Sequence, residues 1–202
     1  MFPIQVGRWS GAALILGSVL FIVNKFDDMG QVYLNQPVPD FITGQSIALL
    51  AIGQITLVLG LLGCYLLYAT RTHLLGKIGL IVLVTGGVLL AIGHISFTSF
   101  VPDDSPFFLL VILGVLLMAL GMALFGAVNL RVKALQFWQP LPLGTGLLGF
   151  VAFVLFGGDQ NPEVFLLLRT LFGIGLVLLG LVMWQDSREA LAKDQNTVHY
   201  AS

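Results

Sequence analysis

Charge is what this sequence has least of. Of its 202 residues only 9% are Asp, Glu, Lys or Arg, and the formal net charge is -1. A soluble domain carries about 25% charged residues. The near-neutral balance leaves no basic footprint for a nucleic acid partner. Cysteine is scarce too, with Cys64 the single one. One thiol makes no internal disulfide, no paired-cysteine redox centre and no four-thiolate metal site. The sequence also lacks a phosphate-binding glycine loop, an HExxH helix and a GxSxG elbow. No connecting segment is long enough to hold a nucleotide domain.

What is there is hydrocarbon. Hydrophobic residues make up 57% of the chain, and the mean hydropathy is +0.99. A soluble fold of this size has too little interior to hide that much apolar surface. Lipid resolves the mismatch, so the expected fold is an all-α integral membrane protein. Six stretches approach the ~20 apolar residues that a crossing needs: roughly 9–23, 46–68, 78–100, 107–128, 143–156 and 164–184. The first and fifth are short, and a five-span count that drops the fifth puts the termini on opposite sides. Pro37, Pro39, Gly76, Pro102, Pro106, Pro140, Pro142, Gly157, Gly158 and Pro162 punctuate the spans. Residues 1–184 form the expected transmembrane domain. Residues 185–202 form a cytoplasmic tail, a short helical extension with a Glu189–Lys193 pair followed by an irregular end. The N-terminus imitates a signal peptide, but Asn24-Lys25-Phe26-Asp27-Asp28 follows the apolar run without a small-residue cleavage site, so it reads as an uncleaved first span.

Charge selects the six-span count. Arg71 and Lys77 flank the second loop, and Arg131 and Lys133 lie in the fourth. Asp27, Asp28 and Asp40 occupy the first loop, Asp103 and Asp104 the third, and Asp159 and Glu163 the fifth. The positive-inside rule places the basic loops, Arg8 and the Arg188/Lys193 tail in the cytoplasm, with both termini there, in the cell (inner) membrane. Trp9, Trp138 and Trp184 fall at the inner ends as interface anchors. Lys25 and Arg169 are the outer exceptions. In the long first loop, Asp27 or Asp28 is expected to cap a short interfacial helix carrying Met29, Val32 and Tyr33, unless the segment is a plain solvated connector.

The spans pair into three helical hairpins that carry signs of a parallel repeat. Gly7 and Gly17 match Gly76 and Gly86 in spacing. Leu59-Gly60-Leu61, Leu120-Gly121-Met122 and Leu179-Gly180-Leu181 each lead to an arginine. Small residues let helices approach closely in lipid. Gly11 and Gly17 on span one, Gly79, Gly86 and Gly93 on span three, Gly121 on span four, and Gly173 and Gly175 on span six are therefore expected packing positions. They serve either the bundle itself or an interface with another membrane protein or a second copy.

An ionisable group inside a membrane is costly and marks a site by default. His94 and Arg169 are the two that stand out, both in the expected outer half with Gln54, Ser96, Thr98 and Ser99, and with Lys25 at the rim. Arg169 suits a clamp for an anionic or carbonyl-bearing ligand, or a structural partner for Glu163, Asp159 or Asp104. His94 suits a proton relay, a quinone hydrogen bond or a single tetrapyrrole, or a plain bond to a neighbouring helix. A bis-histidine haem lacks its second intramembrane histidine, since His73 and His199 lie outside the spans. Asp103-Asp104 has no calcium-loop spacing around it. Three functions remain: an accessory or assembly subunit of a membrane complex, a binder or transporter of a small amphiphile or lipid, and a pigment, quinone protein or enzyme using His94.

Overall fold

In the computed structural model, residues 2–36, 46–100, 106–157 and 161–199 are described; the side chains of 2–4, 97–100 and 189–199 are not. Every regular element among them is helical. The backbone of a chain in lipid must satisfy its own hydrogen bonds, and a helix does this within one segment. Six principal helices follow in order: α1 (Phe2–Val23), α2 (Ile47–Tyr68), α3 (Leu74–Phe100), α4 (Pro106–Val132), α5 (Leu141–Phe150, continued by a π-helical turn Val151–Leu155) and α6 (Pro162–His199). Five of them, all but α5, are long and apolar enough to cross a membrane. Prolines mark several starts: Pro106 and Pro162 open α4 and α6, and Pro140 precedes α5. There the missing N–H costs nothing.

Each helix packs on its neighbours in sequence, and α6 closes back onto α1, making a ring. Two ends are defined by contacts. At one, Gly7 and Arg8 of α1 meet Ser187 and Trp184 of α6, and Tyr68 of α2 donates a 2.9 Å hydrogen bond to Asp186. At the other, Asn24, Gln54 and His94 converge. Successive helices run between these ends in alternating directions, and α5 with its continuation, 15 residues long, is the short one among them.

The buried core is one cluster that includes Leu14, Leu57, Leu61, Leu83, Met118, Met122, Phe172 and Leu176. The outer faces are equally apolar. On α2, Ile52, Ile55, Leu59, Leu62 and Leu66 are exposed at alternating spacings of three and four, a stripe down one helix face. Soluble monomers rarely expose apolar patches larger than a few hundred Å². The fold is thus consistent with a helical membrane bundle.

Glycine sets how close the helices come. A Cβ on Gly86 would lie 2.5 Å from the Met118 backbone nitrogen and 2.6 Å from the Gly114 carbonyl oxygen. Gly79 faces Gly121, and Gly93 faces Phe107 and Val111, so the whole seven-residue stripe on α3 is spent against α4. Gly11 packs on Gly180, Gly17 on Leu57, Gly173 on Ile22 and Gly175 on Thr145. The first two hairpins share a register. Gly17 meets Leu57 and Gly60 meets Leu14, and in the equivalent places Gly86 meets Met118 and Gly121 meets Leu83. The third departs: Gly180 packs on α1 rather than on its own hairpin partner α5. Gly7 and Gly76 also differ, since Gly7 faces Ser187 while Gly76 faces Thr72 of its own chain segment.

Two local expectations need correction. The first loop does form a short helix, Phe26–Met29, running into a π-helical turn, Gly30–Leu34. Neither Asp27 nor Asp28 caps it, because the helix starts one residue earlier: Lys25 holds the cap position with no side-chain bond, and both acids fall in the first turn. The rest of that loop, 37–45, lies outside the described residues. At the other end of the chain α6 runs unbroken past Trp184 to His199. Asp186 and Ser187 are buried there, because Ser187 closes on Gly7 and Asp186 on Tyr68.

Candidate functional site

The Asn24 end of the ring encloses a cavity of about 510 Å³. That is within the ~300–1,000 Å³ range of small-molecule sites. Its wall is apolar: Phe21 from α1, Leu90 from α3, Val111 and Val115 from α4, Phe153 from α5, and Phe165 and Leu166 from α6. Five polar side chains reach it: Lys25, Asp28, Gln31, His94 and Arg169. Toward the opposite end, Leu14, Leu83, Met118 and Phe172, one or two turns farther along the same helices, are fully buried.

Arg169 sits one turn beyond Phe165 on α6 and is 4% exposed. Its Nη2 donates a 2.9 Å hydrogen bond to the Phe21 carbonyl oxygen. Its guanidinium carbon lies 4.0 Å from the centre of the Phe21 ring, a cation–π arrangement that favours a planar cation. Nη1 is buried and has no hydrogen-bond partner among the described residues. No described carboxylate forms an ion pair with it. Glu163 is exposed and accepts a hydrogen bond from Tyr33 through its backbone carbonyl instead. Asp104 and Asp159 lie outside the described residues. Asp28, which lines the same cavity and pairs with Lys25, is the carboxylate that acts on Arg169 from a distance. A buried cation with no carboxylate in contact still carries a desolvation cost of several kcal/mol, which an anion brought to the guanidinium would offset in part.

His94 reaches the cavity from the penultimate turns of α3. Gln54 Nε2 lies 3.0 Å from its Nδ1, and Asn24 Nδ2 lies 3.4 Å from its Nε2. A neutral imidazole has one donor and one acceptor nitrogen. One amide must therefore turn its oxygen to the ring, and Gln54 Oε1, buried without another partner, is the one that gains by doing so. The three side chains tie α1, α2 and α3 together. Both ring nitrogens face amides, so a tetrapyrrole iron or magnesium would have to displace one of them.

The predicted residues therefore separate. His94, Arg169 and Lys25 line one cavity, with Lys25 held in an ion pair to Asp28 at its rim. Gln54 stands behind His94, 2% exposed, and positions it. Ser96 is half-buried on α3 and is not part of the cavity wall. Thr98 and Ser99 continue the helix, but their side chains lie outside the described residues. Among the described residues no group of three or more His, Cys, Asp or Glu is placed to hold a metal.

Sequence reasoning missed Asn24, Asp28 and Gln31 as site residues, and the buried pair Tyr68–Asp186 at the far end. Asn24 ends α1 at the level where His94 and Gln54 sit, and counting turns from the shared loops would have brought it in. Gln31 depends on the fold of the first loop, which has no strong pattern. Comparison with protein-family models, with curated proteins and with solved structures found no match.

Proposed function

We propose that this protein is an integral membrane protein that crosses the bilayer six times and binds a small amphiphile in a blind-ended cavity of its outer half. One observation carries the reading: Arg169, a buried arginine with an unused donor, opens into an apolar cavity that His94 also lines. An amphiphile matches both features, its head to Arg169 and its apolar part to the Phe- and Leu-rich wall. The closed core beneath favours binding and release from one side over passage through the ring. The termini-side end carries Arg8, Arg71, Lys77, Arg131, Lys133 and Arg188, which supports a cytoplasmic location for both termini and an outward-facing cavity. The short α5 crosses in this reading by local thinning of the bilayer.

A thermal-unfolding titration in detergent tests it. Amphiphiles with an anionic head raise Tm in a concentration-dependent way, because a ligand that binds only the folded state stabilises it. Arg169→Gln abolishes the shift. Equal shifts in wild-type and variant, or none with any amphiphile, refute the reading.

A second reading, an accessory subunit docking another membrane protein, keeps one observation in its favour. A groove of about 530 Å³ between α1 and α2 is lined by Trp9, Ala13, Leu59, Leu62 and Leu66, with Trp9 77% exposed. The glycine stripes that first suggested such a role are consumed inside the bundle. Co-purification of a stoichiometric membrane partner, lost on Trp9→Ala, would move the balance to this reading.

A further inference from the structure

The cavity has a side as well as a mouth. Helices α4 and α5 pack tightly over a limited stretch: Gly126 against Leu143, Gly146 against Ala123, and Gly149 against Ala119. Beyond Gly149, toward the cavity, α5 widens into the π-helical turn Val151–Leu155 and stops. Such turns recur at functional sites. Helix α4 runs on for three more turns in that direction, to Pro106. Phe108 and Ile112 in those turns line the cavity and are 49% and 38% exposed, the surface they give to the cavity included. Leu109 and Leu113, beside them on α4, are 67% and 47% exposed. On the α5 side Phe153 and Gly157 line the cavity, while the adjacent Val154 and Leu155 are exposed. The opening is thus a slot between the first turns of α4 and the end of α5, rimmed by apolar side chains, with Arg169 buried behind it.

We propose that this slot is a lateral portal to the outer leaflet, and that the ligand is a single-chain lipid with an anionic head, such as a fatty-acid carboxylate, which enters sideways and places its head on the Arg169 guanidinium. This rests on the reading of the cavity as an amphiphile site and adds the route and the ligand class. The chemistry on each side of the slot argues for it. At the slot a water-soluble anion would have to pass the apolar Phe108 and Ile112, whereas an acyl chain already dissolved in lipid passes them at no desolvation cost while its charged head keeps to the polar mouth beside Lys25, Asp28 and Gln31. The planar guanidinium, with Nη1 unpartnered, suits a carboxylate. A phosphate-headed single-chain lipid shares that chemistry, and the experiment separates the two.

Bromine quenching of tryptophan fluorescence reads both route and ligand. Trp9, Trp138 and Trp184 lie at the far end and are replaced by Phe, and a single Trp is placed at Phe153 within the cavity or at Phe108 in the slot. The protein is reconstituted in phosphatidylcholine vesicles. Dibrominated stearic acid is expected to quench Phe153→Trp saturably. Its methyl ester and dibrominated phosphatidylcholine are expected not to. Adding Arg169→Gln raises the half-saturating concentration on the order of tenfold or more, and Arg169→Lys, which keeps the charge but not the planar fork, retains part of the binding. Stronger quenching by a brominated lysophosphatidic acid than by the fatty acid overturns the carboxylate assignment. Phe108→Trp is expected to be quenched by dibrominated phosphatidylcholine, because the slot faces acyl chains. Protection of Phe108→Trp from that lipid overturns the lateral route. Equal quenching of Phe153→Trp by acid and ester, or by the acid in wild-type and Arg169→Gln backgrounds, overturns the charge-based assignment while leaving an amphiphile site standing. No saturable quenching by any single-chain probe overturns the amphiphile site itself.

Discussion

Gly86→Ala tests whether the α3–α4 seam is as tight as the backbone distances say. The added methyl would lie 2.5 Å from the Met118 nitrogen and 2.6 Å from the Gly114 carbonyl oxygen. Carbon needs roughly 3.5 Å from such neighbours, and both are backbone atoms that cannot rotate away. The helices must therefore separate by about 1 Å, loosening Gly79 against Gly121 and Gly93 against Val111 along the same stripe. Overpacking of this kind costs about 1–3 kcal/mol. The intrinsic preference of a helix for Ala over Gly returns at most ~1 kcal/mol. The net prediction is a loss of up to about 2 kcal/mol. Gly144→Ala is the matched control, since a Cβ there meets nothing within 4 Å; it keeps the propensity gain without the clash and leaves stability unchanged or up to ~1 kcal/mol higher. Reversible unfolding in mixed detergent–SDS micelles reads both. A Gly86→Ala protein at least as stable as Gly144→Ala would refute the close-packing argument for the bundle.

Three further outcomes follow from single contacts. Tyr68→Phe removes the O–H donor to the buried Asp186 carboxylate and is expected to cost about 1–3 kcal/mol in the same unfolding assay; an unchanged stability would show that this end of α6 is not held there. Gln54→Leu and His94→Phe, alone and together, should give a coupling energy of ~0.6–1.7 kcal/mol for one interhelical hydrogen bond in a membrane, and a coupling of zero would mean that the two side chains do not bond. Asn129 donates to the Gln139 carbonyl oxygen and accepts from the Leu135 amide. Asn129→Ala should therefore speed hydrogen exchange at Leu135, while unchanged exchange would place the loop's restraint elsewhere.

The all-helical class and most helix positions were legible because long uncharged runs of the length a crossing needs leave one strong pattern. The glycine stripe on α3 was legible for a related reason: a seven-residue spacing lands on one face whatever that face meets. What it meets was not, and the answer, α4, came only with the fold. His94 and Arg169 announced themselves by their cost in hydrocarbon. That they share a cavity depended on the ring order, which no local pattern encodes. The α4–α5 slot was hidden altogether, because it comes from the early end of α5, and a short span reads in sequence as a weak signal and not as an opening. The burial of Asp186 was missed because an acid just after Trp184 resembles the start of a solvated tail. It is Tyr68, 118 residues earlier in the chain, that closes on that position in the fold.

The central claim is that Arg169 holds an anionic amphiphile inside the ring. Native mass spectrometry of the protein purified in mild detergent, beside Arg169→Gln of matching helical content, tests it most directly. One small amphiphile is expected per wild-type chain, surviving collisional release of the detergent, and none on Arg169→Gln. Wild-type protein that arrives bare, or the same adduct at the same occupancy on both proteins, would contradict it.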